Sequence, residues 1–272
     1  MTLAHKIQGD SMQMVVFQLD EGQRVYAEAG KFLWKTVNVG VETRLSKGDP
    51  GAVAEEAPAK SGTSALLNKA LKTGVEMGKR HLAGESVAFQ HFTAQGGSGL
   101  VAFAGTLPGS MRAIELDGSG GWTAEKDAFV CAESTVDFDI VFQGWKAGRK
   151  SGEGFVLEKF TGVGTLVIAG AGSFIELNPA KYGGTIEVDT GCVVAFQDTI
   201  AYEVKRVGAL NSQAVMAAMF AGQGLSVATL SGDGTVILQS MTYDGMANAL
   251  FARVGQNDNT GITGGIFGTS KG

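Results

Sequence analysis

Apolar residues in this chain come in short runs of roughly five to eight, frequently alternating with polar ones, and nearly every run ends at glycine or an Asx-rich turn. A period of two over so short a stretch places side chains on opposite faces of a strand, and the turn residues send the chain back beside itself. The runs at 12–19 (MQMVVFQL), 24–27, 37–43, 87–93, 100–104, 135–143, 155–160, 165–169, 192–196, 200–207 and 235–240 therefore predict strands. Strands this short and this frequent specify an all-β sandwich or barrel. Glycine supplies 41 of 272 residues, about twice its usual ~7%, while proline supplies only 4, so the excess reads as tight turns rather than disorder or a collagen-like repeat.

The strand runs also repeat. GESVAFQHFTAQGGSGLVAFAG from Gly84, GEGFVLEKFTGVGTLVIAGAG from Gly152 and GQGLSVATLSGDGTVILQSM from Gly222 each read as glycine, strand, glycine-rich turn, strand. A second block precedes each: FQLDEGQRVYAEAGKFLW from Phe17, IELDGSGGWTAEKDAFVC from Ile114 and IELNPAKYGGTIEVDTGCVVAF from Ile175. The expectation is three tandem β-sandwich repeats, double-stranded β-helix-like in character, at 1–97, 98–162 and 163–254, followed by a flexible glycine-rich tail at 255–272. The pattern opens inside a unit at MVVFQL and its last strand, GTVILQSM, has no following turn-strand block. That phase predicts the last strand pairing near the first, closing the units on themselves and hiding their edges.

Two stretches break the pattern with helical spacing. Residues 63–81 place Leu67, Ala70, Leu71, Gly74, Val75 and Gly78 on one face, with Asn68, Lys69, Lys72, Glu76, Lys79 and Arg80 on the other. Asn211 or Ser212 caps a second, shorter and more apolar helix through Ala221, closed by Gly222. Residues 46–62, with Pro50 and Pro58, read as a loop.

The residues that carry chemistry are sparse. Net charge is −5 and charged residues make up 18%, giving no general attraction for phosphate backbones, and nucleic acid is an unfavoured partner. Lys146, Arg149 and Lys150 form one local basic turn. The three histidines, His5, His81 and His91, lack His-x-His, His-x-Glu/Asp or His-Glu-x-x-His spacing, so no metal site and no cofactor is expected. Cys131 and Cys192 sit in apolar runs and read as buried, reduced thiols. Gly-x-Ser-x-Gly and the phosphate-loop pattern are absent. The repeat suggests one set of weak binding candidates: Glu28, Glu125 and Asp189, equivalent carboxylates near a buried strand that would line a symmetric opening or simply cap turns. The N-terminal stretch has no signal-peptide core and no run reaches a membrane-spanning length, so the expected address is cytoplasmic.

GGTIEVDTGCVVAF, with GEGFVLEKFTG before it and QRVYAEAG near the start, resembles the altered-inheritance-of-mitochondria protein 24 family, whose members include many uncharacterised bacterial proteins, over residues 11–241. The resemblance implies three tandem domains similar to the tryptophan RNA-binding attenuation protein fold, three chains making a ring of nine, and, in mitochondrial relatives, a link to inner-membrane organisation. The ring-forming RNA binder uses repeated basic residues, whereas the aligned turns here carry Lys31, Ala128 and Cys192. The expected function is a non-enzymatic structural or scaffolding homo-oligomer, a trimer, with an unidentified protein or membrane surface as partner. The alternatives are a ring binding a small ligand or RNA, and a cupin-like metal enzyme.

Overall fold

The computed structural model describes residues 2–44, 89–143, 155–206 and 226–254. Strands dominate them, as the alternating runs require. The first seven are β1 (His5–Gln8), β2 (Met14–Leu19), β3 (Arg24–Glu28), β4 (Phe32–Lys35), β5 (Val39–Arg44), β6 (Phe89–Ala94) and β7 (Gly99–Ala104). They pair antiparallel as β1-β2-β7-β4 in one sheet and β3-β6-β5 in another.

β8 (Gly109–Asp117), β9 (Trp122–Glu125), β10 (Phe129–Glu133), β11 (Val136–Gln143) and β12 (Phe155–Ala171) follow. The first half of β12 lies between β9 and β11 and its second half between β8 and β10. The last strands are β13 (Phe174–Leu177), β14 (Thr185–Asp189), β15 (Val193–Gln197), β16 (Ile200–Arg206), β17 (Ser226–Gly232) and β18 (Val236–Gln239). They pair as β13-β18-β15 and β14-β17-β16. Two further pairings join the groups: β10 with β3 and β15 with β9.

The interior follows the strand period. Along β2, Val15, Phe17 and Leu19 are buried while Gln18 between them is exposed. Phe17, Phe92 and Phe103 pack edge to face in one cluster, and Tyr26, Phe89, Phe129, Phe138 and Phe160 form a second aromatic group. Phe196 stacks on Tyr202 in a third, with Leu230 and Leu238. Each such side chain contributes about 1.5–3 kcal/mol relative to exposure.

Two expectations are corrected. The runs at 155–160 and 165–169 are one strand, β12, although glycines separate them. Gly162 (φ 103°) and Gly164 (φ 141°) bend the strand from one sheet into the other without ending it; a Cβ on Gly162 would lie 2.5 Å from the Thr135 carbonyl oxygen. The closing of the last strand on the first is also not found. β18 is flanked by β13 and β15 on its two sides, which leaves it no edge to offer β1 or β2.

The helices expected at 63–81 and 211–221, the loop 46–62, the basic turn at 146–150 and the tail 255–272 lie outside the described residues. One helix had no counterpart in the sequence reading: α1 (Tyr243–Val254). Thr242 caps it by accepting the Gly245 N–H at 3.0 Å, with Asp244 in its first turn.

Candidate functional site

Glu28, Glu125 and Asp189 are the last residues of β3, β9 and β14, so the structure gives all three the same local place. Two of them cap turns and the third pairs with a lysine. Glu125 accepts the Asp127 N–H at 2.8 Å and Asp189 accepts the Gly191 N–H at 2.9 Å, each starting a short 3-10 turn. Glu28 lies 3.8 Å from the ammonium of Lys31, which also donates to the Thr106 hydroxyl at 2.7 Å. Lys31 is buried, so the one basic residue of the aligned turns is occupied internally.

The candidate nucleophiles are set against reactivity. Burial pushes the Cys131 thiol well above its ordinary range, and burial together with the Asp189 carboxylate raises Cys192. Both are free thiols. His91 is buried and stacks on Tyr26, with ring centroids 5.9 Å apart. His5 approaches the Leu3 carbonyl oxygen with its Nδ1 at 3.1 Å. Among the described residues, no three His, Cys, Asp or Glu side chains gather in a way that would hold a metal ion, and no helix is long and apolar enough to cross a membrane.

Where the structure departs from ordinary surface is at two strand edges. β4, β10 and β15 carry the same irregularity against their neighbours: the register shifts between Phe32 and Trp34, between Phe129 and Cys131, and between Val193 and Ala195. All of β10 is buried, as are Val193 to Phe196 of β15, because each has a partner on both sides. β4 pairs with β7 alone among the described residues. Phe32 is consequently 38% exposed, Leu33 50% and Trp34 38%, and the following Val37 is 99% exposed. Three consecutive apolar residues are the signature of a strand covered on both faces, and KFLWK carries that signal in the sequence. The exposure is the mismatch.

β14 shows the complementary condition. In β3, Val25, Tyr26 and Ala27 are fully buried beneath the pairing with β10, and in β9 Thr123 and Ala124 are buried beneath β15. In β14 no residue is buried and Glu187 is exposed. Sequence reasoning did not mark Trp34, Lys35, Val37 or Glu187, because exposure of an edge is a property of pairing rather than of composition.

Fold and edges together define a class: an all-β protein of several antiparallel sheets sewn along their edges, in which the apolar β4 and the polar β14 each pair on one side only among the described residues. The family model described as mitochondrial biogenesis AIM24 matches residues 5–241, and the chain belongs to that family. It is 26% identical over 244 residues to an uncharacterized protein of Streptococcus pyogenes serotype M6, covering 88% of this chain and 87% of that one. It is similar in fold to a Streptococcus pyogenes protein of known crystal structure, with a TM-score of 0.66 and 22% identity over 92% of this chain and 99% of the other.

Proposed function

We propose that this protein is a non-enzymatic structural homo-oligomer, cytoplasmic, whose rigid sheets form a ring that presents contact surfaces to a protein or membrane partner. Each chain contributes three copies of one unit of two three-stranded sheets, with β12 serving both sheets of the second, of the kind seen in the tryptophan RNA-binding attenuation protein. The pairing orders support the copies: β2-β7-β4 with β3-β6-β5, then β8-β12-β10 with β9-β12-β11, then β13-β18-β15 with β14-β17-β16. On this reading the units run 14–104, 109–171 and 174–239, so their boundaries fall after β7 and β12 rather than at 97 and 162.

The single observation that carries the oligomer is the recurrence of its joint. β10 on β3 and β15 on β9 are the same junction made twice inside the chain, and the strands that would make it a third time, β4 and β14, each pair on one side only among the described residues. An apolar edge left open in water invites aggregation, so a partner strand is the expected state. Raised thiol pKa values and turn-capping carboxylates support a chain without catalytic groups.

Light scattering and native mass spectrometry on the purified chain test this. A species at three times the 28.2 kDa chain mass, free of bound small molecules, is expected. A monomer at micromolar concentration overturns the oligomer, and a stoichiometric ligand or metal overturns the structural role.

A further inference from the structure

The proposed ring says that copies associate; the two junctions inside the chain say where, and in which register. The inference below rests on that reading and deepens it.

In the first junction Cys131 faces Ala27, Ala132 faces Tyr26 and Glu133 faces Val25. In the second, Ala195 faces Ala124, Phe196 faces Thr123 and Gln197 faces Trp122. The shared irregularity aligns Trp34 with Cys131 and Ala195, since these face Ala102, Val167 and Ile237 immediately after the shift. On the other side, Ala27, Ala124 and Val188 are aligned by their place one residue before the strand-ending carboxylates. Both alignments rest on pairing, not on sequence likeness.

We infer that β4 of one copy adds antiparallel to β14 of a second copy, with Trp34 opposite Val188, Lys35 opposite Glu187 and Thr36 opposite Ile186. The register is the one both internal junctions use. It brings the half-buried ammonium of Lys35 on β4 directly across from the exposed carboxylate of Glu187 on β14, an opposite-charge pair that nothing in the junction rule required. Beside it, the Ser134 N–H donates to the Arg24 carbonyl at 3.3 Å and the Asp198 N–H to the Gly121 carbonyl at 3.0 Å. The corresponding bond in the third junction runs from the N–H of Val37, the most exposed large apolar residue described, to the carbonyl of Thr185. A lone lysine on an edge also guards against pairing, but a guarded edge does not surround it with exposed Phe32, Leu33, Trp34 and Val37. The interface is heterologous, one edge against a different one, and therefore builds a ring when the rotation closes.

The test uses the full chain. Lys35→Glu and Glu187→Lys are each expected to weaken association about tenfold by placing like charges opposite, and the double variant K35E/E187K is expected to restore it. Trp34→Cys with Val188→Cys, oxidised and run without reductant, is expected to give disulfide-linked oligomers that neither single variant gives. These positions face each other where strands approach closest, because the hydrogen-bonded pairs are the alternate ones. An oligomer that ignores both charge reversals and yields no cross-link overturns this interface while leaving the structural-oligomer reading intact. A wild-type chain that is monomeric at micromolar concentration overturns both. Thermal melts of the variants separate lost association from lost folding; Glu187 is exposed, so its charge reversal is expected to leave the melt of the dissociated chain unchanged.

Discussion

The carboxylate of Glu133 accepts both the backbone N–H and the hydroxyl of Thr165, at 3.0 and 2.8 Å. The same oxygen accepts the Leu3 N–H at 2.7 Å, tying the start of the chain to the end of β10. At the corresponding places Gln197 accepts the Thr235 N–H at 2.6 Å and Thr36 accepts the Leu100 N–H at 3.0 Å. Three different side chains thus do one task, satisfying an N–H within or just before a central strand. Glu133 is buried, so replacing it by alanine leaves at least two donors without an acceptor. Glu133→Ala is expected to cost about 2–4 kcal/mol in a urea titration, while Glu133→Gln, which keeps an oxygen, costs about 1 kcal/mol. Equal losses in the two variants would mean that the contact is packing rather than hydrogen bonding.

Gly109 and Gly30 separate two reasons for a glycine. A Cβ on Gly109 would lie 1.9 Å from the Gly170 carbonyl oxygen, a close approach fixed by the β8–β12 ladder that pairs Gly109 with Ala171. Gly30 has φ 96° with nothing near its missing side chain. Gly109→Ala is expected to cost about 3 kcal/mol or more, because backbone and not a flexible side chain is in the way. Gly30→Ala is expected to cost only the left-handed conformation, about 1–2 kcal/mol. Melting temperatures of the two variants compared side by side decide this; a milder effect at Gly109 would contradict the close approach.

How far the sequence could be read follows from what alternation encodes. Alternation reports which face of a strand is buried, so runs such as 24–27, 100–104 and 200–207 fall on β3, β7 and β16 nearly residue for residue. It does not report whether a glycine ends a strand or bends it, which is why β12 was read as two. Nor does it fix register across divergent copies: Phe17 and Ile114 occupy one place, facing Val101 and Leu166, but the third occupant is Leu177 facing Val236, not Ile175. A slip of two keeps the faces and hides the error. Glu28, Glu125 and Asp189 are legible by pattern because each closes a strand at the same place in its copy. The open edges at β4 and β14 were invisible to it, since an unpaired neighbour leaves no mark on the strand itself.

Alkaline pH works against this fold. Burial raises the thiol of Cys131 and the hydroxyls of Tyr202 and Tyr243, with Glu125 adding to both tyrosines and Asp127 and Glu28 to Tyr243; Cys192 is raised by burial and Asp189. In each case the native state holds the neutral form. Below the ordinary values of 9.0 for cysteine and 10.0 for tyrosine, both states keep their protons and the groups add no pH dependence. Above them the unfolded chain releases protons that the native state retains, so stability falls as pH rises. Melting temperature is expected to be flat with respect to these groups up to about pH 9 and to decline beyond it. A midpoint unchanged through pH 11 would show that the four groups reach solvent in the native state.

Two buried tyrosines, Tyr26 and Tyr202, make opposite predictions from the same substitution. The Tyr26 hydroxyl donates to the Val136 carbonyl at 3.1 Å in a buried site, so Tyr26→Phe removes a hydrogen bond and is expected to cost about 1 kcal/mol. The Tyr202 hydroxyl is buried without a hydrogen-bond partner among the described residues. Tyr202→Phe removes a polar group that the fold desolvates and does not satisfy, and is expected to be neutral or stabilising by about 1 kcal/mol. It also deletes one of the groups that titrate late, so the alkaline decline of this variant should be shallower than that of the unsubstituted chain. Denaturant titrations of both variants at pH 7 and pH 10.5 give four numbers. A loss at Tyr202 equal to that at Tyr26, with the alkaline slope unchanged, would mean that its hydroxyl has found a partner after all.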